Sequence, residues 1–252
     1  MGKYSGILLC TDFDYTVAIK TVVSQENADA IRYFCDNGGI FSIISGRDVP
    51  FMKTYEEYLS LRSYVGCVNG TVLCHLPTGK IVKETHVPDG AREVLIDVLK
   101  DLRESLQDVH IFTSQGNTLI GYDKNFFDSV EAFEWSNVRK FVIHTNEPFT
   151  PEQLSYVRNA FGDKYIAVRS WDRGLEINDA CASKGNTARK IAELVSADTL
   201  VCAGDYENDI TLLQAADISY AVGNAIPELK AIADRITVPA SEHAIAKIIS
   251  EL

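Results

Sequence analysis

The chain has 252 residues, 46% of them hydrophobic, which suits one large domain or two small ones around a packed core. Its formal net charge of −11, with Lys and Arg scattered and no basic stripe, argues against a nucleic-acid or anionic-membrane surface. No run approaches ~18 consecutive apolar residues, so no membrane span is expected.

The opening MGKYSGILLC has too short an apolar stretch for a signal peptide, and Gly6 stands where a myristoylation motif wants Ser or Thr. The six cysteines form no CxxC pair, and the five histidines have no zinc-like spacing. Together these features read as a cytoplasmic protein with reduced thiols.

The first strand, Ile7 to Thr11, ends in Asp12-Phe13-Asp14-Tyr15-Thr16. Side chains at i and i+2 of a strand share a side, so the two acids would repel unless something compensates them; an Asp-rich turn is the plain alternative. A helix opens at Ser24, with Ala28, Ile31 and Cys35 as its apolar stripe, and stops before Gly38-Gly39. The run GIFSIIS, residues 39–45, reads as a buried strand, followed by a helix over 48–61 and the strand YVGCVNG. This βαβαβ order predicts a parallel sheet with helices on both faces, an α/β, Rossmann-like doubly wound core.

After Asn69-Gly70, read as a turn although it opens a formal glycosylation sequon, TVLCHL and KIVKET form a hairpin around Pro77-Thr78-Gly79. Residues 80–179 mix helical patterns over 89–106 and 151–161 with strands such as HIFTS, TLIGYD, KFVIHT and YIAVRS. The expectation is an α+β module of residues 80–179 inserted into a discontinuous core of residues 1–79 and 180–252. Alternation then resumes with a helix over 184–195, the strand TLVCAG, a helix over 207–215, the strand SYAVG, a helix over 226–233 and the strand RITV.

Ligands of open parallel sheets sit at the carboxyl ends of the strands. There the chain would place Asp12 and Asp14, the turn Ser45-Gly46-Arg47, and Asp205, Asn208 and Asp209, with Lys184 in the first turn of a helix capped by Ser183. Each element alone is an ordinary turn or solvated helix start. Together, four carboxylates need a cation, and their oxygen chemistry selects a hard ion, Mg²⁺. Such an ion would also let an acidic chain take an anionic substrate.

In this order and with these gaps, DFDYT, IISGR, SKGN and GDYENDI resemble the four motifs of the haloacid dehalogenase superfamily of phosphatases and phosphotransferases. The insertion between the second and third motifs is similar to the type-two cap of its Cof-like, IIB branch, as are Asn69-Gly70 and Glu176-Ile177. The resemblance implies a Mg²⁺-dependent phosphatase of a small phosphorylated metabolite. It makes Asp12 the nucleophile and Asp14 the general acid and base. Ser45, Gly46, Lys184 and Asn208 would hold the phosphoryl group, Lys184 also offsetting the charge of Asp12. Asp12, the Asp14 carbonyl and Asp205 would ligate the metal, with Asp209 supporting them and Arg47 facing substrate or cap. Tyr15 departs from the glycine the family often carries. The alternatives are a phosphosugar mutase, since phosphomannomutase-type enzymes resemble the same fold and cap and use the same aspartyl-phosphate, and a phosphoacceptor signalling domain, since response-regulator receivers share acids, a hydroxyl and a lysine but are about half as long and uncapped. Selectivity would come from the cap, with Tyr122, Trp135, Trp171 and Arg173 as candidates and core packing the simpler role for the tryptophans.

Overall fold

The computed structural model describes residues 2–252 and divides into two compact units. One joins the described residues up to Lys83 with Ser183–Leu252; the other is Glu84–Ala182.

The first unit is built on five parallel strands in the order Arg235–Ile236, Ile218–Ala221, Thr199–Gly204, Ile7–Thr11, Ile40–Ile43. Ile7–Thr11 lies inside the sheet, with Cys10 opposite Cys202 on one side and Ser42 on the other. A parallel bridge from Ile44 to Gly66 brings in Tyr64–Cys67, which pairs with Val72–His75 as an antiparallel hairpin. Strands sandwiched this way must be apolar on both faces: Leu8, Cys10, Leu200 and Cys202 pack on one face with Ala188, Ile191 and Leu212 from the helices, and Leu9, Val201 and Ala203 are buried on the other.

Helix Gln25–Asp36 starts where Ser24 accepts a hydrogen bond from the Asn27 N–H; it buries Ala28, Ile31 and Phe34, leaving Cys35 half-buried. The helix expected over 48–61 is only Val49–Lys53. Beyond it the chain runs through turns, with Ser60 in the left-handed region at φ 49° and Leu59 and Leu61 buried on either side. The apolar spacing there reflects turn packing. Likewise the helix expected over 207–215 begins as a 3₁₀ turn, Glu207–Asp209, before Ile210–Ala215. A final helix, Ala244–Glu251, buries Ile245, Ile248 and Ile249.

The second unit is an antiparallel sheet in the order Tyr165–Trp171, Gly174–Asp179, Val138–Thr145, Leu106–Thr113, Gly116–Gly121. Helices Ala91–Asp101, Phe126–Ala132 and Pro151–Phe161 share one core with Val109, Ile111, Phe141, Ile143, Leu175 and Ile177 of the sheet. Strand periodicity therefore puts Asp108, His110, Lys140, Val142, His144, Glu176 and Asn178 on the opposite face. The helix over 89–106 stops at Asp101 because Leu106 already belongs to a strand. Trp135 packs against this core and donates its Nε1–H to the Val130 carbonyl at 3.1 Å. Trp171 is exposed, with its ring 5.2 Å from that of His144. Tyr122, also exposed, lies edge-on to Phe126 and Phe127, and Arg173 is exposed.

Candidate active site

Asp12 follows the interior strand, its backbone N–H donating to the Ala203 carbonyl at 2.9 Å, so the sheet fixes its main chain. Its buried carboxylate accepts a 2.6 Å hydrogen bond from Lys184 Nζ, which also donates to Asp209 Oδ1 at 2.6 Å. Lys184 opens the helix Lys184–Val195, capped by Ser183, whose side chain accepts from the Asn186 N–H at 3.0 Å. That helix comes close to its neighbour because residue 185 is glycine: a Cβ there would sit 2.1 Å from the Thr211 carbonyl oxygen.

Asp209 has both oxygens engaged. Its Oδ2 accepts from the Asp205 and Tyr206 N–H groups at 2.9 and 3.3 Å, closing the Gly204–Asp209 loop on itself. Gly204 permits this, since a Cβ would lie 2.5 Å from the Asp209 Cβ. Asp205 accepts from Thr16 Oγ1 at 3.3 Å, and its carbonyl takes the Ile226 N–H. Asp12, Asp205 and Asp209 each bring a carboxylate oxygen within 4.8 Å of the others.

Three carboxylates and one ammonium leave two negative charges in a buried space. Burial, outweighing Lys184 and reinforced by Asp209, pushes the Asp12 carboxyl up to about 7; burial together with Asp12 and Asp209 pushes Asp205 up to about 8. Burial would lower the Lys184 ammonium, but the two carboxylates it touches raise it above the ordinary lysine value. An all-oxygen cluster short of two positive charges fits a hard divalent cation. Linkage gives a prediction. Because the folded-state values lie above the ordinary 3.8, the contribution of Asp12 and Asp205 to stability is present at low pH and lost as pH rises toward 8. A bound divalent cation reverses that loss, so the rise in melting temperature on adding Mg²⁺ over EDTA is expected to be larger at about pH 8 than at about pH 5. Equal increments at both would contradict the cluster as the binding site.

The second strand contributes Ser45, whose hydroxyl accepts the Arg47 N–H at 3.2 Å and whose carbonyl accepts the Asn69 N–H at 2.8 Å. Gly46, half-buried, lies between Ser45 and Arg47. The Arg47 guanidinium grips both oxygens of Asp14, at 2.9 and 3.0 Å, and lies 4.7 Å over the Phe51 ring. Asp14 is therefore neutralised by Arg47, while Lys184 serves Asp12 and Asp209. Asn208 donates to Asn69 Oδ1 at 3.4 Å, and Val68, Asn69 and Gly70 are all left-handed, at φ 53°, 56° and 92°. A β-branched residue in that region is strained, held here by the Val68 N–H to the Arg47 carbonyl and by Thr187 Oγ1 to the Gly70 carbonyl. Thr16, the partner of Asp205, closes the DFDYT motif, where the sequence alone gives it no role.

Tyr15 is left-handed at φ 59° and half exposed. Its backbone carbonyl, held by Asn224 Nδ2, survives any substitution. Tyr15→Gly is expected to stabilise the fold by about 1 kcal/mol, the left-handed penalty outweighing the added freedom of the unfolded glycine; a lower denaturation midpoint would refute the strain.

A parallel α/β sheet that gathers buried carboxylates and a lysine at its carboxyl ends is an enzyme's arrangement. Residues 9–249 match the model of the haloacid dehalogenase-like hydrolases, and the chain belongs to that family. It is 28% identical to YxeH of Bacillus subtilis (strain 168) over 250 residues, covering 91% of this chain and 92% of that one. It is 23% identical to YitU of the same organism, a 5-amino-6-(5-phospho-D-ribitylamino)uracil phosphatase, over 97% of this chain and 96% of the relative. Among solved structures, the HAD subclass IIB sugar phosphatase BT4131 superposes with a TM-score of 0.80 at 17% identity, over 97% of this chain and 98% of the other. Among the described residues no helix is long and apolar enough to cross a membrane.

Proposed function

We propose that this hydrolase is a Mg²⁺-dependent phosphatase that cleaves a small phosphorylated metabolite through an aspartyl-phosphate on Asp12. The observation that carries the reading is the Asp12 carboxylate at the end of the interior strand, buried and held at 2.6 Å by Lys184. In this reading an Asp12 oxygen attacks phosphorus as the ester P–O bond breaks, and Asp14 protonates the departing oxygen. Asp14 then takes a proton from the water that attacks the aspartyl-phosphate, which frees inorganic phosphate and restores Asp12. The Ser45 hydroxyl, the Gly46 N–H and Asn208 hold the phosphoryl oxygens, and Lys184 offsets charge on nucleophile and phosphoryl group. Asp209 keeps Lys184 in place. Arg47 sets the Asp14 carboxylate and stands ready to contact substrate. Mg²⁺ would be held by Asp12, the Asp14 main-chain carbonyl and Asp205, supplying positive charge to the phosphoryl group and its nucleophile. Glu84–Ala182 acts as the cap that sets selectivity.

The names of YitU and BT4131, a phosphatase of a ribityl phosphate and a sugar phosphatase, support a phosphate monoester on a hydroxylated carbon chain. The direct test is a screen of phosphorylated metabolites read by released phosphate. Turnover is expected to vanish in EDTA, to return with Mg²⁺, and to be inhibited by Ca²⁺, whose looser and longer coordination misplaces the nucleophile. Undiminished hydrolysis in chelator would rule the mechanism out.

A further inference from the structure

The turn that carries Asp14 is tied to a strained hairpin. Ala18–Ile19 and Val22–Val23 pair antiparallel, with Ala18 opposite Val23 and Ile19 opposite Val22. Between them Lys20 and Thr21 are both left-handed, at φ 49° and 67°. A two-residue turn with positive φ at both positions favours Asn-Gly or Gly-Gly, and a β-branched residue there is strained. Such a turn keeps its shape only when its surroundings hold it. Tyr55, half-buried in the turns that follow the helix Val49–Lys53, does so: its hydroxyl donates to the Thr21 carbonyl at 2.6 Å. The Tyr58 hydroxyl donates to the Val23 carbonyl at 3.4 Å.

The other end of the hairpin is the turn of Asp14. The Tyr15 N–H donates to the Ala18 carbonyl at 2.7 Å, and the Val17 and Ala18 N–H groups donate to the Phe13 carbonyl at 3.0 and 2.9 Å. Asp14 itself bridges to Ala18. The Tyr55 ring makes a second connection. It lies edge-on 4.8 Å from the ring of Phe13, the residue between the two acids, and 5.4 Å from Phe51, whose ring carries the Arg47 guanidinium that grips Asp14. Asp12 draws its position from the interior strand and from Lys184, so the two acids have separate supports.

We propose that Tyr55 is a positioning residue for Asp14: its hydroxyl, on the Thr21 carbonyl, holds the hairpin and through it the Asp14 turn in the shape that general acid and base catalysis requires. The inference rests on the phosphatase reading above, in which Asp14 gives a proton to the departing oxygen and later takes one from water. Tyr55 itself transfers no proton.

The test uses the full chain with Mg²⁺, a hexose monophosphate and p-nitrophenyl phosphate, followed by rapid quench. Tyr55→Phe keeps the ring and removes only the hydroxyl. First-turnover nitrophenol release should stay within about twofold of wild type, since that step hardly needs Asp14. Breakdown of the aspartyl-phosphate and kcat for the hexose ester should fall roughly fivefold, as for one lost hydrogen bond. Lys20→Asn with Thr21→Gly gives the turn its favoured residues, and in that background Tyr55→Phe should cost less than about twofold. Added to Asp14→Asn, Tyr55→Phe should change the residual turnover by less than about twofold, because the group it positions is already gone. No change in any step, an equal fall in both chemical steps, no rescue by the favoured turn, or an undiminished loss on top of Asp14→Asn each overturns the inference and leaves the phosphatase reading intact. No hydrolysis of either ester by wild type overturns both.

Discussion

Asp12→Asn is expected to lower hydrolysis of every phosphate ester by at least about 10⁴-fold while leaving the metal-free protein at least as stable as wild type. The first half follows from chemistry, because an amide oxygen is a poor nucleophile at phosphorus and cannot form the aspartyl ester. The second half follows from the charge count at the site. Asp12 is buried beside Asp205 and Asp209, and burial raises its carboxyl to about 7, so its ionised form opposes folding. Removing that charge still leaves Lys184 with Asp209, its second partner at 2.6 Å. The expected readout is loss of phosphate release together with an unchanged or higher melting temperature in EDTA, and a smaller rise on adding Mg²⁺. A marked drop in metal-free stability would mean that the Lys184–Asp12 pair is chiefly structural, as a broken buried ion pair costs about 3–5 kcal/mol.

Much of this arrangement was legible in the sequence because it depends on short-range rules. Strand runs that end in polar residues, and a helix that opens with Ser183-Lys184, locate groups at the carboxyl edge of a parallel sheet once the βαβ order is recognised. The structure does bring Asp12, Asp205, Asp209 and Lys184 together. What local pattern does not encode is pairing between distant turns. The Arg47–Asp14 ion pair joins residues 33 apart, and only the chain path through Ser45, Val68 and Asn69 brings them into register. Left-handed residues were equally hidden at Tyr15, Val68 and Ser60, none of them a glycine or asparagine, because tertiary hydrogen bonds override the intrinsic preference there. The 48–61 segment read as helix because Met52, Tyr55 and Leu59 fall at i, i+3 and i+7, although beyond Lys53 turns, not a helix, bury Leu59. The strand Gly174–Asp179 escaped notice for the opposite reason: only Leu175 and Ile177 in it are apolar, and its other face carries Glu176 and Asn178.

Asp14→Asn should separate the two halves of the reaction. The substitution keeps the main-chain carbonyl assigned to Mg²⁺, and it loosens an ion pair with Arg47 that is partly exposed, so little stability is at stake. Asp12 remains free to attack p-nitrophenyl phosphate, whose leaving group hardly needs a proton. Water activation is then missing. The aspartyl-phosphate should accumulate, giving a burst approaching one nitrophenol per active site and then a slow steady state, with an acid-stable mass increase on the Asp12 peptide. Sugar phosphates, with poor leaving groups, should show no burst, because the first step itself now lacks its acid. Arg47→Ala provides the control: if Arg47 sets the Asp14 carboxylate, its loss should slow both steps without trapping the intermediate. Turnover of both kinds of ester by Asp14→Asn at similar fractions of wild type, or a phosphoryl label on residue 14 of the wild-type enzyme, would show that the roles of the two acids have been exchanged.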